Sequence, residues 1–586
     1  MLEALRPQIG AVLALVQGRV AELGARAHQS HKRHRGRDNV PVYAEGQPLL
    51  RLVSPLAEGA DRLVAEEAGK LNYVLDVVLP LRKQDYEQDF LGSVEQFERL
   101  LATAEQRVLV VDGGPNEERA RSYQAAGRLV VRNSDLIIAI WDGKPGRGDG
   151  GTADIVGYAA RFGVPVWWIN TDANAPGRLL SSLAQLRRPA QAPTGSAAEK
   201  ALSEYLAHTI LPPDHPEPKR NGTLGRAVHL ACRVLAHDPP PVQVYLRETE
   251  IPPAGLWTVY KTFVTWAGGL AAPSSGMKPA EGTVGKYWEA QYSIADSLSG
   301  QYAARYRSSY VLVFVVSALG FLASVTSLAF PGVGSLCTVV ELLVIFSIGS
   351  LVVANHAHGW HERWITYRLL AELCRKQRVL ATLGRGVPGT EISALANDAG
   401  AELGKVPREA WVAWYFAAAQ RAAPQPAGAL NEAALAHAAD VAREMLVEQI
   451  DYHKDRRHRC RAANEKLAQI GGSFFALTAA LVVLGAVSPL QPDNAVWLNI
   501  TGCVLAIISA AFVGIRAYAE FDLLAEESDR MLRVMEAGRA AIDATKFGHP
   551  LASQDLGAEI STVAAAMLLD VKGWAQLFRV KAIDAN

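Results

Sequence analysis

The stretch SSYVLVFVVSALGFLASVTSLAF, residues 308–330, decides the fold class of this chain. It contains no Asp, Glu, Lys or Arg. A helix needs about 20 predominantly apolar residues to cross the hydrocarbon core of a bilayer. Residues 308–330 meet that requirement, so the stretch predicts a membrane-spanning helix.

Three further stretches are similarly apolar. They are CTVVELLVIFSIGSLVVANHA (337–357), GGSFFALTAALVVLGAVSPL (471–490) and AVWLNITGCVLAIISAAFVGI (495–515). A Pro331-Gly332 break precedes the first of them and a Gln-Pro-Asp turn joins the other two, so the four stretches form two hairpins. The alternative is a set of buried helices in a large soluble protein, but the grouping into hairpins favours membrane insertion. We expect an all-α membrane region with four transmembrane helices.

The composition agrees with a local loss of charge. Of the 586 residues 20% are charged, whereas soluble domains carry about 25%. The 59 basic residues balance 59 acidic ones, which argues against a globally basic protein that binds nucleic acid directly. The five cysteines are widely spaced, so the sequence predicts no disulfide framework and no metal site.

Basic residues around the spans predict the orientation. Arg305 and Arg307 precede the first span, Arg363 and Arg368 follow the second, and a basic cluster at 454–466 precedes the third. The two hairpin tips contain no Lys or Arg. Because Lys and Arg concentrate on the cytosolic side, both termini should be cytosolic.

The N-terminal region, residues 1–172, has a different pattern. Five short apolar runs, at 49–54, 74–80, 107–111, 135–141 and 165–170, alternate with helical patterns. Near-continuous apolar strands separated by helices are typical of a parallel sheet covered on both faces. The sequence predicts an α/β, Rossmann-like domain.

The rest of the chain divides by composition. Residues 173–255 are Pro-rich and predict a linker with some helix. Residues 256–384 predict a helical unit that contains the first hairpin, residues 385–450 predict connecting cytosolic helices, and residues 451–586 predict a second unit with the second hairpin. The order of hairpin, long cytosolic helices, hairpin and cytosolic helices indicates an internal duplication.

The segment SPLAEGADRLVAEEA (54–68) follows the first predicted strand. At the carboxyl end of such a strand, a helix N-terminus offers free N–H groups to a phosphate. Ser54, Gly59 and Ala60 would form the turn, and Gly59 permits close approach of backbone. The alternative is an ordinary strand-to-helix turn, in which Ser54 caps the helix and Asp61 lies in its first turn.

A second segment, DLIIAIWDGKPGRGDGGTADIVGYAARFG (135–163), combines a strand, a glycine-rich loop and a helix start at Gly150, Gly151 and Thr152. Thr152 could donate to a phosphate, and Asp142 could accept from a ribose hydroxyl or simply be a turn residue. Two such loops favour a nucleotide-binding crevice more than either loop alone.

These segments resemble the SLOG superfamily, the Rossmann-like group that includes the Lonely-guy phosphoribohydrolases and DNA-processing protein A. Four motifs carry the resemblance in order: SPLAEGADRLVAEEA, DYEQDF (85–90), SDLIIAIWDGK (134–144) and GGTADIVGYA (150–159). The hydrolase members have a catalytic Glu where this chain has Ile155, with Asp154 one place earlier. Members of that superfamily usually open with a strand that ends in a Gly-His-Arg turn. No such turn precedes Leu49, so either the true N-terminus lies upstream or that phosphate contact is absent. The resemblance implies nucleotide binding, with Asp154 among the ligand-binding residues and as the candidate catalytic residue.

The membrane half resembles the SLATT family of two-span effector modules, here in two copies. The resemblance is diffuse: a helix that enters the hairpin, spans rich in small residues, and the region of Trp364, Tyr367, Arg368 and Glu372 that follows it. Together the two resemblances imply a membrane effector of anti-phage defence that senses a nucleotide second messenger, of ADP-ribose type or cyclic, and opens a pore that kills the cell. The implied setting is a homo-oligomer in the lipid bilayer of the bacterial inner membrane, without a further cofactor.

Two other functions stay open. The α/β domain could be a membrane-anchored nucleotide or NAD glycohydrolase, with Asp154, Asp142 or Asp61 as general acid or base, or the protein could be a scaffold whose crevice is a relic. Within the spans, Glu341 is the one fully charged residue, and an intramembrane carboxylate is a functional candidate. The alternative for Glu341 is a position at the membrane interface.

Overall fold

The computed structural model describes residues 2–33, 40–104, 107–146, 148, 150–172, 175–213, 241–272, 278–387, 389–396, 410–487 and 492–579. The Pro-rich part of the predicted linker, 214–240, lies outside these residues. The chain is mostly helical, with a small N-terminal parallel sheet and four candidate membrane-spanning helices.

The strands are β1 (Arg51–Ser54), β2 (Val74–Leu79), β3 (Val108–Val110), β4 (Ile137–Trp141), β5 (Val166–Asn170), β6 (Arg178–Leu180) and β7 (Gly428–Ala429). The helices of the N-terminal part are α1 (Arg6–Arg33), α2 (Ala60–Lys70), α3 (Lys83–Glu87), α4 (Val94–Ala104), α5 (Arg119–Arg132), α6 (Thr152–Phe162), α7 (Leu183–Arg187) and α8 (Ser196–Ile210). The later helices are α9 (Pro241–Arg247), α10 (Val259–Gly268), α11 (Gly282–Ala329), α12 (Gly334–His358), α13 (Trp360–Leu380), α14 (Gly389–Ala396), α15 (Ala410–Ala422), α16 (Glu432–Val487), α17 (Pro492–Ala519), α18 (Phe521–Ala544) and α19 (Ala552–Arg579).

The five predicted strands are confirmed as β1 to β5. With β6 and β7 they form two sheets. In the first, β1, β2, β3 and β7 are parallel neighbours in that order. In the second, β5 pairs in parallel with β4 and antiparallel with β6. Apolar side chains of β1 and β4, such as Leu52 and Ile138, pack against one cluster together with α1, α2 and α8. The strand β6 and the helices α7 and α8 lie in the segment for which the sequence predicted a linker with some helix.

The α/β part and the helical part share one core. The short strand β7 lies between α15 and α16, far along the chain, yet it extends the N-terminal sheet beside β3 with Leu109 opposite Gly428. The main hydrophobic cluster includes Leu109 and Leu129 from the α/β part and Leu370 and Leu446 from the helical part. The sheet is therefore docked on the helices by backbone hydrogen bonds and by apolar contact.

The helical part repeats one architecture. A long helix enters the first hairpin as α11, a second helix returns as α12, and α13 continues beyond it; α16, α17 and α18 repeat this order. In both units a single residue in the left-handed conformation separates the last two helices. Gly359 has φ 55° and ψ 39°, and Glu520 has φ 49° and ψ 44°. We call α11 to α13 the first unit and α16 to α18 the second unit.

All four spans expose their apolar side chains. In the most apolar 18-residue stretch of each span, only 6 to 17% of the residues are buried within the chain. Leu328, Phe346 and Val487 are 85%, 74% and 74% exposed. Such helices are stable in a bilayer, where lipid covers these side chains, so the chain has the character of a multi-pass membrane protein.

The spans contact one another in a row: the second packs on the first, the first on the fourth, and the fourth on the third. Small residues lie at these contacts, as expected where helices approach closely in a membrane. A Cβ on Gly320 would lie 3.0 Å from Val344, and one on Gly514 would lie 2.5 Å from Phe314.

Candidate functional site

The loop after β1 is a tight turn that ends at the N-terminus of α2. The hydroxyl oxygen of Ser54 is buried and accepts a hydrogen bond from the N–H of Leu56 at 3.1 Å. Gly59 has φ 97° and precedes Ala60, the first residue of the helix. The structure thus uses Ser54 inside the turn, while Gly59 supplies the positive φ that a residue with a Cβ rarely adopts.

Asp61 and Arg62 stabilise this turn by hydrogen bonds to backbone atoms. The Asp61 carboxylate accepts from the N–H of Ala57 at 3.2 Å, and burial raises its pKa to about 6. Arg62 is fully buried and donates to the carbonyl oxygens of Leu56 and Ser93, each at 3.0 Å. Arg62 was not among the residues predicted from the sequence. Its position directly before Leu63 and Val64, in a helix that faces a sheet, could have indicated that its side chain is buried.

The loop after β4 ends at the N-terminus of α6. Gly150 has φ 78°, and a Cβ there would lie 2.6 Å from the carbonyl oxygen of Ala120, so only glycine fits. Gly151 caps the helix and Thr152 is its first residue. Both Gly151 and Thr152 are exposed, so the Thr152 hydroxyl and the first N–H groups of α6 are open to a ligand.

The two aspartates of this loop have different environments. The Asp154 carboxylate accepts from the side-chain amide of Gln124 at 2.8 Å and from the N–H of Gly150 at 3.3 Å, so it fixes the loop to α5. Asp142 is exposed, and its carboxylate accepts from the N–H of Lys144 at 3.0 Å in a local turn. Asp142 therefore remains accessible, whereas Asp154 is occupied by positioning contacts.

Two tyrosines connect the loops. The Tyr86 hydroxyl donates to the carbonyl oxygen of Pro55 at 3.1 Å, and its ring centroid lies 5.7 Å from that of Tyr123. A Cβ on Gly150 would lie 3.1 Å from the Cβ of Tyr123. Both predicted loops therefore belong to one edge, where α2 and α6 begin, and we call it the loop edge. The N-terminus of α6, which is exposed, and that of α2, which is partly buried, suit an anionic group such as phosphate.

The remaining candidate, Glu341, lies in the membrane region and not at the loop edge. It belongs to α12, and its carboxylate accepts from the Ser324 hydroxyl of α11 at 2.6 Å. This contact joins the two helices of the first hairpin. Among the residues that the structure describes, no group of three His, Cys, Asp or Glu side chains is arranged to hold a metal ion.

Asp112 joins the sheet to the last helix. It follows β3, and its carboxylate accepts from the N–H of Ser553 at 2.8 Å and also from the Ser553 hydroxyl. Its carbonyl oxygen accepts from the N–H of Leu551 at 2.8 Å. Because Ser553 lies in the first turn of α19, the carboxylate acts as an N-terminal cap supplied by another part of the chain.

Comparison of the chain with family models, curated proteins and solved structures found no match.

Proposed function

We propose that the protein is a membrane effector that senses a nucleotide-derived ligand at the loop edge and forms or gates a pore through its four spans. The ligand would be an ADP-ribose-type or cyclic nucleotide. Its phosphate would lie at the N-termini of α2 and α6, with Thr152 as a hydroxyl donor and Asp142 as the acceptor for a ribose hydroxyl. The setting is the bacterial inner membrane with both termini cytosolic, and the biological role is cell suicide in anti-phage defence.

The observation that carries the proposal is the double link between the sheet and the helical part. The sheet continues into β7, directly before α16, and Asp112 at the end of β3 caps α19. A ligand that shifts the loops at the ends of these strands would move the helices that enter and follow the second hairpin. A switch from almost closed to almost open requires about 5.5 kcal/mol of differential ligand affinity.

The row of four spans favours an oligomer. A row has two free edges, and the described spans bury only 6 to 17% of their apolar windows within the chain. Glu341 is the one fully charged residue of the spans, and its carboxylate accepts a hydrogen bond from Ser324 within the same hairpin. A polar pore would therefore assemble from several chains around a symmetry axis.

Reconstitution in liposomes tests this function. The purified chain would be incorporated into dye-loaded or ion-loaded vesicles and exposed to ADP-ribose and a panel of cyclic nucleotides. We expect at least one of them to release the contents, and Thr152→Val to weaken that response about tenfold. Thr103→Val, at an exposed threonine of α4, is the matched control and should respond like wild type. No release with any nucleotide would contradict the proposal.

A second candidate, the nucleotide or NAD glycohydrolase, is favoured by one observation. Burial raises the pKa of Asp61 to about 6, close to the value that suits a general acid or base near neutral pH. The enzyme hypothesis expects nicotinamide release from NAD that Asp61→Asn abolishes. Asp154→Asn distinguishes a positioning role from a catalytic one, because this change should loosen the loop but leaves the titrating group, Asp61, in place. Binding of NAD without turnover would leave the receptor as the function.

A further inference from the structure

A polar cavity lies in the helical part, and none of the residues that line it belongs to the loop edge. Its volume is ≈ 240 Å³, and its walls come from α11, α13, α16, α18 and α19. The first unit and the second unit each contribute two of these helices. The cavity therefore lies at the junction of the two units. It is close to the start of the first span, because Arg307, which directly precedes that span, lines it.

The walls carry more positive than negative charge. Four cations line the cavity, Arg307, Arg368, Lys376 and Arg456, against the two carboxylates of Asp296 and Glu372. The cations thus exceed the carboxylates by two. Directly behind the wall, Arg375 and Glu448 add one ionisable group of each sign, and burial raises the pKa of Glu448.

Both carboxylates already have cationic partners. Arg368 contacts Asp296 at 2.8 Å and Glu372 at 2.8 Å, and Lys376 also pairs with Glu372. Arg307 and Arg456 have no carboxylate partner among the described residues. The Arg307 guanidinium lies 4.6 Å from the ring centroid of Trp364, and that of Arg456 lies 6.0 Å from the ring centroid of Tyr452. Two guanidinium groups in one cavity are therefore available to an anion.

The cations also lower the pKa values of neighbouring side chains. Arg456, followed by Arg368 and Arg307, lowers the pKa of the Tyr452 hydroxyl. Burial and then Arg456 lower the pKa of His453 to about 3, so its imidazole is neutral at pH 7. His453 is 6% exposed, and its Nδ1 is buried without a hydrogen-bond partner among the described residues. A neutral imidazole with an unused nitrogen adds a polar contact to the cationic wall.

Part of the cavity wall is apolar and adaptable. Met531, Met535 and Met567 line it, which is half of the six methionines in the chain. Methionine side chains are flexible and polarisable, and they fit ligands of irregular shape. The cavity thus has a cationic wall for an anion and an apolar wall for an organic group.

We propose that this cavity binds a phosphate monoester that carries an apolar or aromatic group, and that the bound phosphate bridges the first and second units through Arg307 and Arg456. A phosphate monoester carries about −1.5 to −2 charges at pH 7, which matches the excess of two cations. A metal ion does not fit, because it would add charge of the sign already in excess. The site goes beyond the loop edge, since it shares no residue with it.

Calorimetric titration of the full-length protein in detergent with phenyl phosphate tests the proposal. We expect binding by wild type, and a dissociation constant at least tenfold higher for Arg456→Gln. The matched control is Arg457→Gln, which removes the neighbouring cation but breaks only an ion pair with Asp529 at 2.7 Å outside the cavity. Its dissociation constant should stay within about twofold of wild type. Equal losses in the two variants, or no binding by wild type, would overturn the proposal.

Thermal unfolding without ligand separates binding from folding. Arg456 has no carboxylate partner, so Arg456→Gln should melt at or above the wild-type temperature while its stabilisation by phenyl phosphate disappears. Arg456→Lys keeps the charge and should restore part of that stabilisation. Stabilisation of Arg456→Gln by phenyl phosphate to the same extent as wild type would contradict the proposal.

Nanodiscs distinguish the two sources of a phosphate monoester. One set would contain phosphatidylcholine alone and the other phosphatidylcholine with phosphatidic acid. If the occupant is a soluble metabolite, phenyl phosphate should bind equally in both. If the occupant is a lipid, phosphatidic acid should block phenyl phosphate and copurify with wild type but not with Arg456→Gln.

Discussion

At the scale of residues, the loop edge combines exposed groups with side chains that hold the loops in place. Gly151 and Thr152 are exposed at the start of α6, whereas Asp154 is engaged with Gln124 and Gly150. Both aspartates of the second loop were candidates from sequence, and only their contacts distinguish them. Asp142 is the one that stays accessible.

Asp61 makes a prediction about pH dependence. Burial raises its pKa from 3.8 to about 6, so the folded chain holds this proton more tightly than the unfolded chain. Its stabilising contribution is therefore complete below about pH 4 and is lost as the pH rises through 6. The loss is at most about 3 kcal/mol, because one pKa unit corresponds to about 1.4 kcal/mol.

Asp61→Asn cannot titrate, so its melting temperature relative to wild type should rise between pH 4.5 and pH 7.5. Thermal unfolding in detergent across this range measures the difference. Asp142→Asn, which removes an exposed carboxylate of the same edge, is the matched control. Parallel profiles for Asp61→Asn and wild type would contradict the assignment of a buried titrating group.

The sequence predicted part of this site and missed the rest for a physical reason. Gly59 and Gly150 were recognisable because glycines directly before a helix indicate backbone that needs positive φ or close approach. The contacts of Arg62 and of Tyr86 with Tyr123 depend on which loops meet in three dimensions, and local sequence does not encode that meeting.

At the scale of elements, the two left-handed breaks define the relation between the spans and the helices that follow. Gly359 turns the chain from α12 into α13, and Glu520 does the same between α17 and α18. Both bring an aromatic residue, Trp360 or Phe521, into the core directly afterwards; these residues are 5% and 1% exposed. Glycine could be suspected from sequence, but a glutamate in this conformation could not.

The conformation of Gly359 is testable by substitution. Gly359→Ala places a Cβ on a residue with φ 55° and should destabilise the chain by about 1–2 kcal/mol. Gly349→Ala is the matched control, because its Cβ would meet no atom within 4 Å in the middle of a helix. Thermal unfolding in micelles should show a lower melting temperature for Gly359→Ala alone. Equal melting temperatures for the two variants would argue against a fixed break.

The contact between Asp112 and α19 makes a second prediction at this scale. Asp112→Ala and Ser553→Ala remove the same hydroxyl–carboxylate hydrogen bond from opposite sides, so their effects on the free energy of unfolding should not add. A double-mutant cycle by denaturant unfolding should give a coupling energy of about 1–2 kcal/mol. Additive effects would mean that the sheet does not hold the helix through this bond.

The predictability of elements follows their apolar length. The spans and β1 to β5 are nearly continuous apolar runs, so the sequence was sufficient for them. The strand β7 consists of Gly428 and Ala429 and has no apolar run of its own. It forms because β3 presents an unpaired edge, where the N–H of Leu430 donates to the carbonyl oxygen of Val110 at 2.8 Å.

At the scale of the whole molecule, the described residues of the α/β part and of the helical part are joined by hydrogen bonds and by a shared core. The composition of residues 173–255 predicted a linker with some helix, but the described part of that segment forms β6, α7, α8 and α9, and contacts tie it to its surroundings. For example, the Trp414 indole N–H donates to the carbonyl oxygen of Thr209 at 3.1 Å. The polar cavity was equally unpredictable, because its charges come from helices that are separate in sequence.

The proposed sensing function depends on this connection, because a ligand at the loop edge would act on the spans through it. Proteoliposomes that contain wild type, Asp112→Ala or the control Asp555→Ala test it in one measurement of ion release, with ligand binding to each protein recorded in parallel. Asp555 is an exposed aspartate of the same helix, α19.

We predict that a nucleotide binds all three proteins with similar affinity and releases ions from wild type and Asp555→Ala vesicles, while Asp112→Ala vesicles release at least tenfold less. Release from Asp112→Ala vesicles at the wild-type rate, with the same bound nucleotide, would contradict the account.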